Sequence, residues 1–451
     1  MQTKFSPEAL KNPDISASNE ILRKCVHCGF CTATCPTFTV LGDELDSPRG
    51  RIYLIKEMLE KGRPADRETV KHIDRCLSCL SCMTTCPSSV NYMHLVDHAR
   101  SYIENTYRRP FMDRVTRALL AFVLIRPHFF RLSLLAARLA KPFKGMLATR
   151  LKAMVEMAPD TLPTSSSRTL PGVYPAMGAR RMRVALLQGC VQDVLDPRIN
   201  RATMDLLNRH GVEVVASRDV GCCGAMSHHM GKAVESHRLA KTNIDAWTRE
   251  INGEGLDHIV INASGCGTTI KDYGYMFRND PAMASKAAMI SSRACDVVEL
   301  LAKLDVNNFV VVPKLRIAYH SACSMQHGQK ITTLPLELLA RAGFDVATVP
   351  DGHLCCGSAG TYNLLQPEIS AQLLRRKISN IESTSCTAVA TGNIGCIMQI
   401  AHGTSIPILH TVELLNWATG GACPDGLAGV LPGSREVRSD GREVERRRGA
   451  A

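Results

Sequence analysis

The chain has 451 residues, 45% of them hydrophobic, which is enough for about three domains of ordinary size, each with a core of its own. Nineteen cysteines would suit a disulfide-stapled secreted protein, but the polar stretch Met1–Ser18 has neither the apolar segment nor the small-residue cleavage site of a signal peptide, so reduced thiols in a cytoplasmic protein are expected. The net charge of +12 argues against a protein that coats nucleic acid, because all of it falls between Arg108 and Arg183, where fifteen Lys and Arg face three acids.

The first region, residues 1–107, holds two copies of one run, Cys25-Cys28-Cys31-Cys35-Pro36 and Cys76-Cys79-Cys82-Cys86-Pro87, each reading C-x2-C-x2-C-x3-C-P. In a two-cluster ferredoxin the three closely spaced thiolates hold one cubane and the fourth, before proline, reaches the other. Cluster one would therefore take Cys25, Cys28, Cys31 and Cys86, and cluster two Cys35, Cys76, Cys79 and Cys82. Structural zinc usually pairs two C-x2-C knuckles in one tetrahedron, a pattern that these runs overfill. His27 lies inside the first loop, where tuning of a cluster by hydrogen bonding suits it better than ligation. Between the runs, apolar residues at positions 52, 54, 55, 58 and 59 predict a helix over Arg51–Glu60, stopped by Gly62 and Pro64. A second helix is predicted over Tyr92–Tyr107, so two [4Fe-4S] clusters are expected among helices.

Residues 108–182 form a basic connector. Aliphatic clusters at Ala118–Ile125 and Leu132–Leu139 alternate with basic residues as in amphipathic helices, and Arg126, Pro127, His128, Arg131 and Arg138 break any membrane span. A solvated linker, a docking surface for a partner and a contact with anionic lipid all fit this pattern. Ala158–Ala179, rich in Pro and Ser, reads as a loose linker.

The sequence then repeats itself over 183–305 and 314–417. Arg183–Cys190 corresponds to Arg316–Cys323, Leu206–Val214 to Leu338–Val346, Gly221-Cys-Cys-Gly224 to Leu354-Cys-Cys-Gly357, Gly265-Cys266 to Gly395-Cys396, and Val298–Leu301 to Val412–Leu415. Each repeat alternates β-like runs with helical ones, which predicts an α/β unit with a largely parallel sheet, its cysteines just after the strands. Adjacent side chains of an extended chain point to opposite faces, so aiming both sulfurs of a Cys-Cys pair at one centre needs a sharp turn. Gly224 and Gly357 would supply it through a positive φ. Cys190, Cys222, Cys223 and Cys266 in the first repeat, and Cys323, Cys355, Cys356 and Cys396 in the second, form soft four-thiol sets suited to an iron-sulfur cluster or zinc, with buried reduced thiols as the remaining reading. His320 and His327 flank Cys323 and could add ligands or carry protons, with hydrogen-bonded structural histidines the favoured reading. Cys386 lies outside the repeated set, and the Gly-, Pro- and Arg-rich tail 418–451, with Cys423, is expected to be disordered.

These motifs resemble a known family. Cys25-Val-His-Cys-Gly-Phe-Cys-Thr-Ala-Thr-Cys-Pro-Thr37, Gly42-Asp-Glu-Leu-Asp46, Pro48-Arg-Gly-Arg-Ile-Tyr-Leu-Ile-Lys56, Ala263-Ser-Gly-Cys-Gly267 and His353-Leu-Cys-Cys-Gly-Ser-Ala-Gly-Thr-Tyr362 are similar to the iron-sulfur subunits of bacterial glycolate oxidases, and the repeats to the cysteine-rich "CCG" domain. The general CCG pattern ends in C-x2-C, but Ala263 and Asn393 stand at the earlier position of that pair, so a five-thiolate cluster lacks a ligand here. The resemblance implies an α+β multidomain protein: a helical two-cluster ferredoxin domain followed by two homologous α/β CCG domains. It implies an electron-transfer subunit that cannot oxidise glycolate alone. Two FAD-binding partner subunits would convert glycolate to glyoxylate, and a quinone-type acceptor would receive the electrons, with peripheral association at the inner face of the cytoplasmic membrane. The chain itself has no G-x-G-x-x-G after a predicted strand and no P-loop, so FAD is expected only on the partners. An equivalent subunit for lactate, glycerol 3-phosphate or a heterodisulfide, and a zinc-stabilised scaffold without redox activity, are the rival readings.

Overall fold

The computed structural model describes residues 1–164, 167–310 and 312–431. In the first region Ser47 caps a helix over Pro48–Lys61 by accepting from the Gly50 N–H, Pro48 opens it, and Gly62 in the left-handed conformation ends it. The helix Tyr92–Thr106 starts from Asn91, whose side chain accepts from the His94 N–H. Ile52, Ile55, Leu59, Leu95, Val96 and Ile103 meet between the two helices in one core, and each such side chain contributes about 1.5–3 kcal/mol on burial.

The basic connector is ordered. Helices Phe111–Leu124 and Pro127–Ala140 form a hairpin whose inner residues Phe130 and Leu134 pack on Val194 and Ala158. Arg109 and Arg117 tie its base to Asp74 at 2.6 and 2.8 Å. The loose-linker reading of Ala158–Ala179 needs correction, because Gly172–Tyr174 forms a strand, β1, paired antiparallel with Val212–Ala216.

In the first repeat β2 (Met182–Leu186), β3 (Val212–Ala216), β4 (His258–Ile261) and β5 (Ala294–Asp296) are parallel, and with β1 they give the order β1-β3-β2-β4-β5. In the second, β6 (Arg316–Tyr319), β7 (Asp345–Thr348), β8 (Ala388–Thr391) and β9 (Ile408–His410) form the wholly parallel sheet β7-β6-β8-β9. The repeats pack about a pseudo-two-fold axis: helix Arg198–Arg209 of the first lies on Thr411–Ala418 of the second, and Val297–Lys303 of the first on Leu334–Arg341 of the second. Residues of both sheets, Val184 and Leu186 with Ile317 and Val389, share one core.

The tail expected to be disordered is partly folded. Asp425–Leu427 makes a helical turn with Leu427 fully buried, and Asp425 pairs with Arg198 at 2.8 Å. Cys423 is exposed, and residues 432–451 lie outside the described residues.

The ferredoxin region docks on both repeats. Tyr362 of the second donates to the Arg75 carbonyl at 3.0 Å. Against the first, His94 stacks on Tyr275 with ring centres 3.4 Å apart and pairs with Asp272 at 2.8 Å, and Asp97 faces His228 at 3.2 Å. Burial opposes the Asp97 charge, but His228 and His229 outweigh it and hold the carboxyl below its usual range. Burial likewise opposes the His228 charge, and Asp97 outweighs it and holds the imidazole above its ordinary 6.5. The stabilisation from His228 is thus complete below pH 6.5 and lost as pH rises through the raised value, whereas that from Asp97 is present above 3.8 and lost as pH falls through the depressed one. Asp97→Asn should cost about 3 kcal/mol near pH 6. It should also remove the decline in wild-type stability above neutrality, as read by anaerobic urea unfolding across pH.

Candidate iron-sulfur and thiol sites

The first run wraps a cavity lined by Cys25, Cys28, Cys31 and the distant Cys86, with Cys82, Ile52 and Tyr92 also on its wall. His27 and Gly29 both take left-handed backbone conformations, which bends the loop around that cavity. Cys28 is exposed, as are its neighbours Val26 and Phe30, so this site meets the surface. Pro36 begins the helix Pro36–Leu41 directly after Cys35, so the fourth cysteine leaves its own run. Cys35 instead lies in the electrostatic neighbourhood of Cys79 and Cys82, together with Cys76. Cys86 on the wall of the first cavity and Cys35 beside Cys79 and Cys82 are positions that the exchange of fourth cysteines expected from the spacing would need.

The second set is buried, and the thiols of Cys79 and Cys82 are pushed up, chiefly by burial and then by neighbouring sulfurs. Buried thiols of this kind ionise only when positive charge is supplied, which is the chemistry of a metal-cluster cradle. The Ser78 N–H points at Cys76 Sγ at 3.5 Å and the Tyr92 hydroxyl at 3.7 Å. One cation is built in. Arg51, 1% exposed, reaches Cys35 Sγ with Nη1 at 3.9 Å and donates to the His72 carbonyl at 2.7 Å. Burial opposes the Arg51 charge, but Cys76, Tyr92, Cys35 and Asp46 outweigh it and keep the guanidinium protonated. Asp46, wholly buried, accepts from Arg51, Arg75 and His72 at 3.2, 2.7 and 2.9 Å. Sequence reasoning assigned no role to this network, although Asp46 and Arg51 fall within the quoted motifs; only the fold brings them to Cys35.

In each repeat the four sulfurs form a chain. Cys222 contacts Cys190 and Cys223, and Cys223 contacts Cys266. In the second repeat Cys323 lies 3.8 Å from Cys355, Cys355 contacts Cys356, and Cys356 lies 3.5 Å from Cys396. Gly224 and Gly357 have φ of +86° and +96°, and their N–H groups point back at Cys222 Sγ and Cys355 Sγ at 3.4 and 3.5 Å. The turn thus offers each thiolate a backbone donor as well as a change of direction. Asn393, at the missing-cysteine position, caps the helix that bears Cys396 by accepting from the Gly395 N–H.

The two histidines beside Cys323 separate in role. His327 is structural, as expected: Nδ1 pairs with Thr84 Oγ1 at 2.9 Å and Nε2 with the His353 carbonyl at 3.1 Å, joining the second repeat to the ferredoxin region. The reading of His320 as a hydrogen-bonded histidine needs correction. It is 1% exposed, neither ring nitrogen has a nitrogen or oxygen partner among the described residues, and a ring nitrogen faces the Cys356 sulfur and lies within 4.8 Å of the sulfurs of Cys356 and Cys396. Burial pulls its pKa down, which favours the neutral, ligand-competent imidazole. The first repeat has Leu187 at this position, buried and without a donor. An imidazole beside soft thiols fits a metal in the second repeat better than it fits a core of reduced thiols.

The second thiol set of the ferredoxin region adjoins the second repeat. Leu77, Cys79, Cys355, Tyr362 and Leu373 form one apolar cluster with Cys323 packed against it. The thiols of the first repeat lie elsewhere, with Cys190 and Cys222 packed on Ile125 of the connector hairpin.

With this geometry in place, comparisons with known proteins agree with it. Residues 21–90 match the 4Fe-4S dicluster domain, and residues 184–271 and 317–401 match the cysteine-rich CCG domain. Together they define an iron-sulfur subunit of an oxidoreductase. The chain is 40% identical to the glycolate oxidase iron-sulfur subunit of Escherichia coli K12, over 93% of this chain and 99% of that one. It is 29% identical to the probable glycolate oxidase iron-sulfur subunit of Bacillus subtilis 168, over 88% and 94%. Lactate utilization protein A of Shouchella clausii is 26% identical over 52% of this chain and 99% of its own length. The chain belongs to the family of glycolate oxidase iron-sulfur subunits. Its fold is also similar to the crystal structure of a hypothetical protein from Helicobacter pylori, with a TM-score of 0.54, 8% identity, and coverage of 92% of this chain and 74% of that one.

A Cβ at Gly357 would sit 2.7 Å from the Ser370 carbonyl oxygen, whereas one at Gly343, also at positive φ, would meet nothing within 4 Å. Gly343→Ala should cost only the strain of the left-handed backbone, about 1–2 kcal/mol. Gly357→Ala should cost more and disturb the Cys355–Cys356 turn, which differential scanning calorimetry of the two variants would register.

Proposed function

We propose that this protein is the electron-transfer subunit of a flavin-dependent glycolate oxidase, with Cys25, Cys28, Cys31 and Cys86 holding one [4Fe-4S] cluster and Cys35, Cys76, Cys79 and Cys82 the other. When bound, such clusters take up and release single electrons, which suits a partner FAD that receives two from glycolate. Two FAD-binding subunits supply the electrons, and a quinone-type acceptor at the inner face of the cytoplasmic membrane removes them. The contact of Cys79 with Cys323 and Cys355 carries this reading, because it sets the ferredoxin thiols beside a further donor set. The surface-exposed first loop, with Val26 and Phe30 beside Cys28, suits the approach of a flavoprotein. Arg51 places a fixed positive charge beside the second thiol set and favours the more negative state of whatever that set holds. In the second repeat, Cys323, Cys355, Cys356, Cys396 and His320 would hold an additional cluster or zinc, and in the first, Cys190, Cys222, Cys223 and Cys266 would do so.

The complex isolated anaerobically with its flavoprotein partners tests this. Cys79→Ser should leave the flavin reducible by glycolate and abolish turnover with a quinone analogue; normal turnover would refute the assignment. About eight irons per chain are expected if only the ferredoxin region carries cubanes, and more would place iron in the repeats. Cys355→Ala should damage turnover more than Cys386→Ala does. Reduction by L-lactate instead of glycolate would favour the lactate reading, and a colourless zinc protein would overturn both.

A further inference from the structure

The connector hairpin has one face that the protein itself does not cover. Its inner face is occupied: Leu120, Ala121, Ile125, Phe130 and Leu134 are buried. On the other side Met112, Leu119, Leu132, Leu139, Phe143 and Met146 are each more than half exposed. Soluble proteins rarely leave so many large apolar side chains in the open on one element.

The charges that accompany them have one sign. Between Phe111 and Met146 the only acid is Asp113, which Arg109, Arg117 and Arg150 hold in ion pairs. Arg114, Arg131 and Arg138 have no ion-pair partner among the described residues. The guanidinium of Arg126 lies over the Phe122 ring, 4.0 Å from its centre. Taken together, the segments Phe111–Leu124 and Pro127–Met146 have the hydropathy of a membrane segment, yet they are bent by 117° at the break and neither is long and apolar enough to cross a bilayer alone. A chain with that composition and that bend lies in the plane of an interface, apolar side inward and basic residues at the rim.

We propose that the outer face of this hairpin seats the protein on an anionic phospholipid bilayer, with Leu119, Leu132 and Leu139 at the acyl boundary and Arg114, Arg131 and Arg138 at the headgroup phosphates. The proposal rests on the reading above for the acceptor, and it names the surface that reaches the membrane. Lipid is the favoured occupant, because the two helices together have the hydropathy of a membrane segment and the charge on this hairpin is of one sign, Asp113 being its only acid. Seating the hairpin this way also sets the first-repeat thiols close behind the docked face, since Ile125 at the turn packs on Cys190 and Cys222.

Flotation of the complex with vesicles of phosphatidylcholine, alone or mixed with phosphatidylglycerol, tests the proposal. The wild-type complex should float with the mixed vesicles, and less so as salt is raised. Leu119→Glu with Leu132→Glu should weaken that binding at least about tenfold. Arg131→Gln with Arg138→Gln should weaken it about fivefold per charge, with no change on phosphatidylcholine alone. Iron content and glycolate-reducible absorption, read on the same samples, should stay at wild-type levels in both variants; their absence from the wild type would count against the proposed function and not against docking. The docking proposal is overturned if the wild type floats with neither vesicle, if the double-Glu variant binds as the wild type does, or if that variant loses its flavoprotein partner, which would make the face a protein interface.

Discussion

Thiols that are to bind a metal must be ionised, and most of those here sit where water cannot stabilise the charge. Cys79, Cys82, Cys190, Cys355 and Cys396 are buried among apolar side chains and other sulfurs, and each thiol is pushed up as a result. The second ferredoxin set and the two repeats answer this constraint with positive charge or oriented donors. The ferredoxin region inserts Arg51, and because a buried guanidinium needs a counter-charge, it also inserts Asp46, which in turn engages His72 and Arg75. The second repeat sets the buried side chain of Lys377 in the electrostatic neighbourhood of Cys355, Cys356 and Cys396. Both repeats use the left-handed glycines 224 and 357, which turn an N–H toward the preceding sulfur.

The duplication supplies two similar sites, but the surroundings make them different. Pseudo-symmetry covers the exchanged helices and the shared core, and it ends where the ferredoxin region and the hairpin dock. Cys79 reaches the second repeat, where Leu187 of the first is replaced by His320, whose ring faces the Cys356 sulfur. The hairpin covers the first repeat instead, through Ile125. A three-sided contact joins the two: a Cβ at Gly328 would meet Thr268 of the first repeat at 2.7 Å and Leu80 of the second cysteine run at 3.4 Å. The three units thus meet at one glycine, where a side chain would have to displace Thr268 and Leu80.

What the sequence revealed followed from how local the signal is. Ligand runs, glycine turns and the 3.6-residue periodicity of Pro48–Lys61 are written within a few consecutive residues, and the two sheets follow from strand and helix alternation. Strand β1 was read as part of a linker because three residues carry no readable alternation, and it exists only through its pairing with β3. The Asp46 network spans 29 residues between Asp46 and Arg75 and had no marker beyond a motif of unassigned role. For His320 the structural reading was favoured over the ligand one for the opposite reason: a histidine near a cysteine ordinarily finds a carbonyl or a hydroxyl, and among the described residues the packed core around β6 leaves it the Cys356 sulfur instead. Leu427 looked like part of a disordered tail because its neighbours are Gly and Pro, yet a single buried leucine is enough to hold one helical turn against the second repeat.

The hairpin shows why charge placement matters more than charge total. Spread over the whole surface, +12 would describe a moderately basic protein; gathered on one connector, the same charge becomes a directional field. The cations at its base, Arg109 and Arg117, are neutralised by Asp74 and Asp113 and serve the fold. The cations further out, Arg114, Arg131 and Arg138, make no close ion pair among the described residues; Arg114 lies over the Phe111 ring, and Arg138 is left only the field of Asp160, which Lys141 already pairs. Folding stability would not retain unpaired arginines beside exposed leucines, since neither group gains from being there in water. Their coexistence on one face is explained by a surface that satisfies both at once, apolar below and anionic above.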